Sequence, residues 1–237
     1  MKKMLLTVTG ISACASLFAA DANSPSALTD AIAKLKAEPN YSWTIKVELP
    51  TLQGFDLAPM QGKTEKDGFM LVTQDFNGTT AQAVLSGTNA VLKLEDAWQT
   101  ADSVDQTGFN GWWLAYTKSG ADEALDLVNK AKELKLDANG VWSGDFTEAG
   151  ATELLGPPRP PGSTNAPPAA KNAKGTVKFW IKDGELSKFE SHVQGLVAFA
   201  PDQDPQDFET TRTGEIHDQG KTKVEVPAEA KTKLSAK

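Results

Sequence analysis

One cysteine and two histidines are all that this chain offers of the side chains that most often bind metals or attack substrates. The lone Cys14 excludes any internal disulfide. His192 and His217 sit in no metal-ligand spacing with another His, Cys or carboxylate, so no zinc pattern can be written. A glycine-rich phosphate cradle, a G-x-S-x-G elbow and a G-x-G-x-x-G fingerprint are all missing. Positive charge is also scarce, with 24 Lys+Arg against 31 Asp+Glu. That balance excludes the basic footprint of a nucleic-acid binder and a polybasic membrane patch. Past the first residues no apolar run approaches the roughly 20 residues that a spanning helix needs. No catalytic residue, metal ligand or cofactor is therefore assigned, and an enzyme is not expected.

What the chain does have begins at its start. Lys2 and Lys3 form a basic head, residues 4–18 are apolar or small, and Ala20-Asp21-Ala22 offers a small-x-small cleavage site. This is the layout of a secretory signal peptide over residues 1–22. Ile11-Ser12-Ala13-Cys14 also fits a lipobox, in which Cys14 would become a lipidated N-terminus. Cleavage near Ala20 or Ala22 is the first reading, because the apolar run continues past Cys14 through Leu17 and Phe18. Export to the periplasm follows, with a membrane-anchored lipoprotein as the alternative. Cleavage after Ala20 removes two lysines and leaves 22 basic against 31 acidic groups, a formal charge of −9.

Residues 23–237 read as a single domain. Ser24-Pro25 caps and opens a helix carrying Leu28, Ile32 and Leu35 on one face, and Glu38-Pro39-Asn40 ends it. Tyr41, Trp43, Ile45, Val47 and Leu49 then alternate with polar residues, the mark of a strand with one covered face. Asp67-Gly68, Asn77-Gly78 and Gly87-Thr88-Asn89 punctuate further short strands in the manner of tight hairpins. The sequon Asn77-Gly78-Thr79 is read as a turn. Ser119 and Asp122 form a capping box before a helix whose expected face is Ala121, Ala124, Leu125, Val128 and Ala131, with Glu123 on the wet side. A strand over 141–146 and a helical turn over 152–155 follow. Residues 157–174 hold six prolines and are expected to cross the surface as an inserted loop. Strands are expected at 176–181, 186–199, 210–218 and 224–227, with helical composition in the tail.

Acidic clusters are read as solvated. Asp202, Asp204, Asp207 and Glu209 lack the glycine of a calcium loop and are broken by Pro205. Glu95 and Asp96 are adjacent, so on a strand they face opposite ways. The aromatics carry more information: ten Phe and six Trp exceed the needs of a small sheet. Trp43, Phe69, Trp112, Trp113, Phe179 and Trp180, with Leu125 and Val128, are the expected lining of an apolar cavity between sheet and helices. If the Trp112-Trp113 pair is extended, its rings face opposite ways and one looks away from the core. The helix after Ser119, with Gly108, Gly111 and Gly120 near it as hinges, is the expected gate.

GTVKFWIKDGELSKF at 175–189 and GKTKVEVPAEA at 220–230, after a signal peptide, a short helix and the Trp43 strand, resemble the LolA-like group of exported proteins. That group includes lipoprotein carriers and mycobacterial lipid-binding lipoproteins. The resemblance implies an α+β fold, a strongly curved antiparallel sheet or half-open barrel with two or three helices on its concave apolar face. It implies no catalytic residues. The function expected is that of an exported, monomeric, non-enzymatic protein holding a lipid, an acyl chain or a lipoprotein. The alternative is an envelope scaffold whose aromatic patch meets another protein.

Overall fold

A computed structural model describes residues 25–52, 57–76, 78–94, 96–104, 111–156, 168–199 and 203–235. The signal segment with Cys14, the Asn77 of the sequon, Glu95, Gly108, Phe109, Asp202 and most of the Pro-rich segment lie outside them. The N-terminal half contains α1 (Pro25–Ala37), β1 (Asn40–Glu48), β2 (Met60–Glu65), β3 (Met70–Phe76), β4 (Thr79–Ser86), β5 (Asn89–Leu94) and β6 (Ala97–Thr100). A 3-10 turn at Trp112–Tyr116 leads to α2 (Gly120–Lys130), β7 (Lys135–Leu136), β8 (Val141–Asp145) and α3 (Glu148–Leu155). The chain ends with β9 (Lys171–Lys182), β10 (Glu185–Val197), β11 (Gln206–His217) and α4 (Ala228–Ser235).

All eleven strands join one sheet in the order β6-β5-β4-β3-β2-β1-β11-β10-β9-β8-β7. Every pairing is antiparallel, as short turns require. The strands form two meanders, β1–β6 and β7–β11, stitched together where β1 pairs with β11. The sheet stays open, with β6 and β7 as its edges. Asp183 and Gly184 both take positive φ in the β9–β10 turn, the primed geometry that lets these two long strands fold back directly.

The helices α1, α2 and α3 cover one face. On α1, Leu28, Ile32 and Leu35 are each 1% exposed, and each such burial stabilises by roughly 1.5–3 kcal/mol. They join Tyr41, Trp43, Ile45, Val72, Val177, Phe179 and Phe189 from the sheet in one core. Large rings are accommodated by glycine on the neighbouring strand. Trp43 lies opposite Gly62, and Phe189 opposite Gly214. A Cβ at Gly62 would fall 2.0 Å from the Trp43 indole, and one at Gly214 2.2 Å from the Phe189 ring. The other face carries a smaller cluster, where α4 buries Ala230 against Val84, Val91 and Trp98, with Phe69, Leu71, Val226 and Leu234 packed around them.

Three local expectations are corrected. Lys171–Lys174 belong to β9, pairing with Leu196 through Gln194, so the loop ends earlier than 174. Residues 224–227 form no strand; they lead into α4, with Val226 packed against the cluster on the other face of the sheet. The turn near 152 is a full helix beginning at Glu148, since the Thr147 hydroxyl caps it by accepting the Gly150 N–H at 3.0 Å. Within β10, Leu186 and Phe189 share the buried face although three residues apart, because a bulge at Ser187 inserts one residue.

Candidate functional site

The expected cavity residues do not gather in one place. Trp43 and Phe179 are 1% and 0% exposed and belong to the packed interior. Trp180 points to the opposite side of β9 from Phe179, half-buried beneath the Lys188 ammonium, which stands 4.6 Å from the ring centroid. Phe69 packs in the cluster under α4. Trp112 and Trp113 are not extended. Gly111, at φ 88°, reverses the chain into the 3-10 turn, and the Leu114 N–H donates to the Gly111 carbonyl at 3.0 Å. The two indoles therefore meet each other edge-on at 6.2 Å, with Phe76 and Tyr116 beside them. Trp113 also donates from Nε1 to Gln74 Oε1 at 3.3 Å, which helps satisfy a buried amide.

Helix α2 is the element on which the site turns, and its docked face differs from expectation. Ala121, Ala124 and Leu127 are buried together with Glu123. Leu125 and Val128 are only half-buried, at the margin. The face is rotated because Glu123 has a partner across the interface: Arg212 of β11 donates from Nε to Glu123 Oε1 at 3.0 Å. A carboxylate that can be paired is tolerated inside, and pairing draws that side of the helix toward the sheet. Gly120 is no loose hinge, since a Cβ there would lie 2.7 Å from Ile216 and 3.4 Å from Trp43. Gly120 is the close-contact point of the first turn.

Ion pairs ring this docked face. Asp122 receives Lys36 of α1 at 2.6 Å, and Asp126 receives Lys118 at 2.8 Å and Lys130 at 2.5 Å. Lys130 also reaches Glu153 of α3 at 2.9 Å. Burial pushes the Asp122 carboxyl up, but hydrogen bonds from Lys36 and Ser119 outweigh it and hold the group below its ordinary range. Asp126 is held low in the same way, burial being overcome by Lys118 and Lys130. The Ser119 hydroxyl completes the cap by accepting the Asp122 N–H at 3.2 Å.

The rotation leaves Leu125 facing a cleft of about 980 Å³ between α2, the β2–β3 turn and the β4–β5 turn. Met70 and Leu85 supply apolar wall opposite Leu125, Phe69 stands among the lining residues, and Tyr41, Thr64 and Ser119 add hydroxyls. A volume of that order is at the upper end of small-molecule sites. Beyond Thr117 and Lys118, on the other side of α2, lies a smaller cavity of about 250 Å³ bordered by Trp113, Tyr116, Leu127 and Leu154.

The histidines take no part. His192 places Nδ1 3.2 Å from the Thr211 hydroxyl, and His217 has Glu215 at 3.7 Å. Among the described residues no three His, Cys, Asp or Glu side chains are grouped as a metal site, and no helix is long and apolar enough to cross a membrane. Asp204 and Asp207 are exposed near the start of β11, and Glu209 lies within it.

No protein-family model matches the chain, and no curated protein matches it. The chain is similar to two solved mycobacterial structures. The Mycobacterium tuberculosis lipoprotein LppX is 12% identical, with a TM-score of 0.47 over 86% of this chain and 100% of that one. LprF from Mycobacterium bovis is 13% identical, with a TM-score of 0.43 over 88% of this chain and 99% of that one. Both likenesses are ones of outline.

Proposed function

We propose that the protein is an exported, non-enzymatic binding protein that holds the alkyl part of a lipid or other amphiphile in the cleft beside α2. The observation that carries this is the cleft itself: about 980 Å³, with Leu125, Met70 and Leu85, half-buried at the margin of the core, supplying its apolar wall. Of the residues expected at the site, Leu125 and Phe69 would touch the ligand, and Met70 and Leu85 join them. Trp43 would serve as the rigid floor under the first turn of α2, and Phe179 would stay in the packed core. Trp112, Trp113 and Val128 would support its far side, and Trp180 would remain outside.

In this proposal α2 is the gate. It docks through Gly, Ala and one Leu, with Leu125 and Val128 only partly packed at the margin, so it buries little apolar area per turn, and ion pairs supply part of its hold. Elements held this way open locally at lower free energy than the sheet. Organic extraction of the natively purified protein, followed by mass spectrometry, is expected to release a lipid in a fixed ratio to protein. An empty extract, with no change of Trp fluorescence on adding alkyl amphiphiles, would overturn the reading. The periplasm is the proposed compartment. Mass spectrometry of the mature N-terminus separates a residue near Asn23 from a diacylglyceryl Cys14.

A second reading, an envelope interaction protein, has one observation in its favour. Phe199 is 47% exposed and stacks edge-on against Phe208 at 5.3 Å, a surface aromatic pair at one end of β10 and β11. A pull-down from envelope extract that Phe199→Ser abolishes would favour it.

A further inference from the structure

The charges around the cleft say which head group it accepts, and we infer that the ligand is an alkyl amphiphile with a cationic head, an ammonium or its like. The inference rests on the apolar-ligand reading above and adds the head-group class to it. Three lysines and five carboxylates line the cleft. Two of the lysines are already engaged, Lys36 with Asp122 and Lys118 with Asp126. What remains in the lining is Lys66 against Glu38, Glu65 and Asp67. Among the described residues none of the three carboxylates makes an ion pair within 4.0 Å, although Lys34, itself paired with Glu185, acts on Glu38 from longer range and Lys231 stands 5.7 Å from the Phe69 ring.

The backbone brings the three together. Asp67, at φ 53°, turns the chain between β2 and β3, and the Lys66 N–H donates to the Pro39 carbonyl at 2.9 Å. That bond pins the turn carrying Glu65 and Asp67 against the end of α1, where Glu38 sits. The excess negative charge therefore lines the same cleft as Met70, Leu85 and Leu125. An alkyl chain lying on those three residues keeps its head within reach of these carboxylates. A carboxylate or phosphate head meets like charge there, and the acidic mature chain adds to the repulsion. An ammonium head meets attraction, and it needs no deep desolvation because Asp67 is exposed and Glu38 and Glu65 are only half-buried.

The test is calorimetric titration of the mature protein, near neutral pH, with dodecyltrimethylammonium, dodecyl maltoside and dodecanoate, each below its micelle threshold. Tetramethylammonium serves as the head without a chain. At low ionic strength the ammonium amphiphile is expected to bind at least about tenfold more tightly than dodecanoate, and salt should shrink the gap. The variant Glu38→Gln/Glu65→Gln/Asp67→Asn should bring the ammonium compound down to the affinity of the maltoside. Its fold is checked by circular dichroism, and Asp67→Asn alone is the milder form. Equal affinity for all three heads would overturn the cationic inference and leave the apolar cleft standing. A preference that survives the triple variant would also overturn it. Binding of none of the three, or tetramethylammonium binding as tightly as its dodecyl form, would overturn the cleft reading itself.

Discussion

At the residue scale, the pairing of aromatic rings with glycine decides how closely the sheet and helices approach. Trp43 and Phe189 lie flat because Gly62 and Gly214 present no side chain beneath them. Gly62→Ala is therefore expected to cost about 1–3 kcal/mol, the usual range for overpacking a core, read as a lower urea midpoint with an unchanged slope. An unchanged midpoint would mean that the indole has room to move. Alternation in residues 41–49 made the buried side of β1 legible, since Tyr41, Trp43 and Ile45 are all inside. The need for Gly62 was not legible, because its partner is set by strand register and not by its neighbours. The same holds for Glu123. Its polar character placed it in solvent, and only Arg212, 89 residues later, makes burial tolerable.

At the scale of elements, α2 is the critical piece, and two substitutions separate docking from binding. Leu127 is 1% exposed, so Leu127→Ala should cost about 2–5 kcal/mol of α2 docking and raise amide exchange across 120–130. Leu125→Asp should leave that exchange close to wild type while abolishing amphiphile binding, because Leu125 faces the cleft. If both variants loosen the helix equally, the rotated face is wrong. The acid limb gives a further check. Asp122 and Asp126 are held below the ordinary carboxylate range, so their contribution is fully present above about pH 3.9, the unfolded value. It is lost as pH falls through their lower folded values. Protection of α2 should thus decline ahead of the sheet only in strong acid, and simultaneous loss in both would contradict an ion-pair latch. The existence of α2 was readable from Ser119 and Asp122. Its orientation was not, since Ala121, Ala124, Leu125, Val128 and Ala131 also follow helical spacing, and only Arg212 of β11 favours the face that carries Glu123 and Leu127.

Across the whole molecule, the two meanders were visible as hairpins, but their union was not. Turn residues report neighbours in sequence, whereas β1 pairing with β11 joins the first strand to the last, and no local signal encodes it. The expected lining is dispersed for a related reason. Trp43 and Phe179 fill the space between sheet and helices, and the cleft of about 980 Å³ lies beside α2 and the β2–β3 and β4–β5 turns. The C-terminal segment ties the back of the sheet, where Ala230 is 0% exposed against Val84, Val91 and Trp98. Ending the chain at Glu225 should uncover that cluster, seen as binding of a hydrophobic dye and concentration-dependent aggregation with the main core still folded. A truncated chain that stays monomeric and binds no dye would show α4 to be dispensable. The most direct test of the cleft is photolabelling with an alkyl amphiphile bearing a diazirine at mid-chain, followed by peptide mapping. Label confined to residues 64–70, 85–87 and 117–129 is the predicted result, and label at Phe199 and Phe208 or spread over the surface would contradict it.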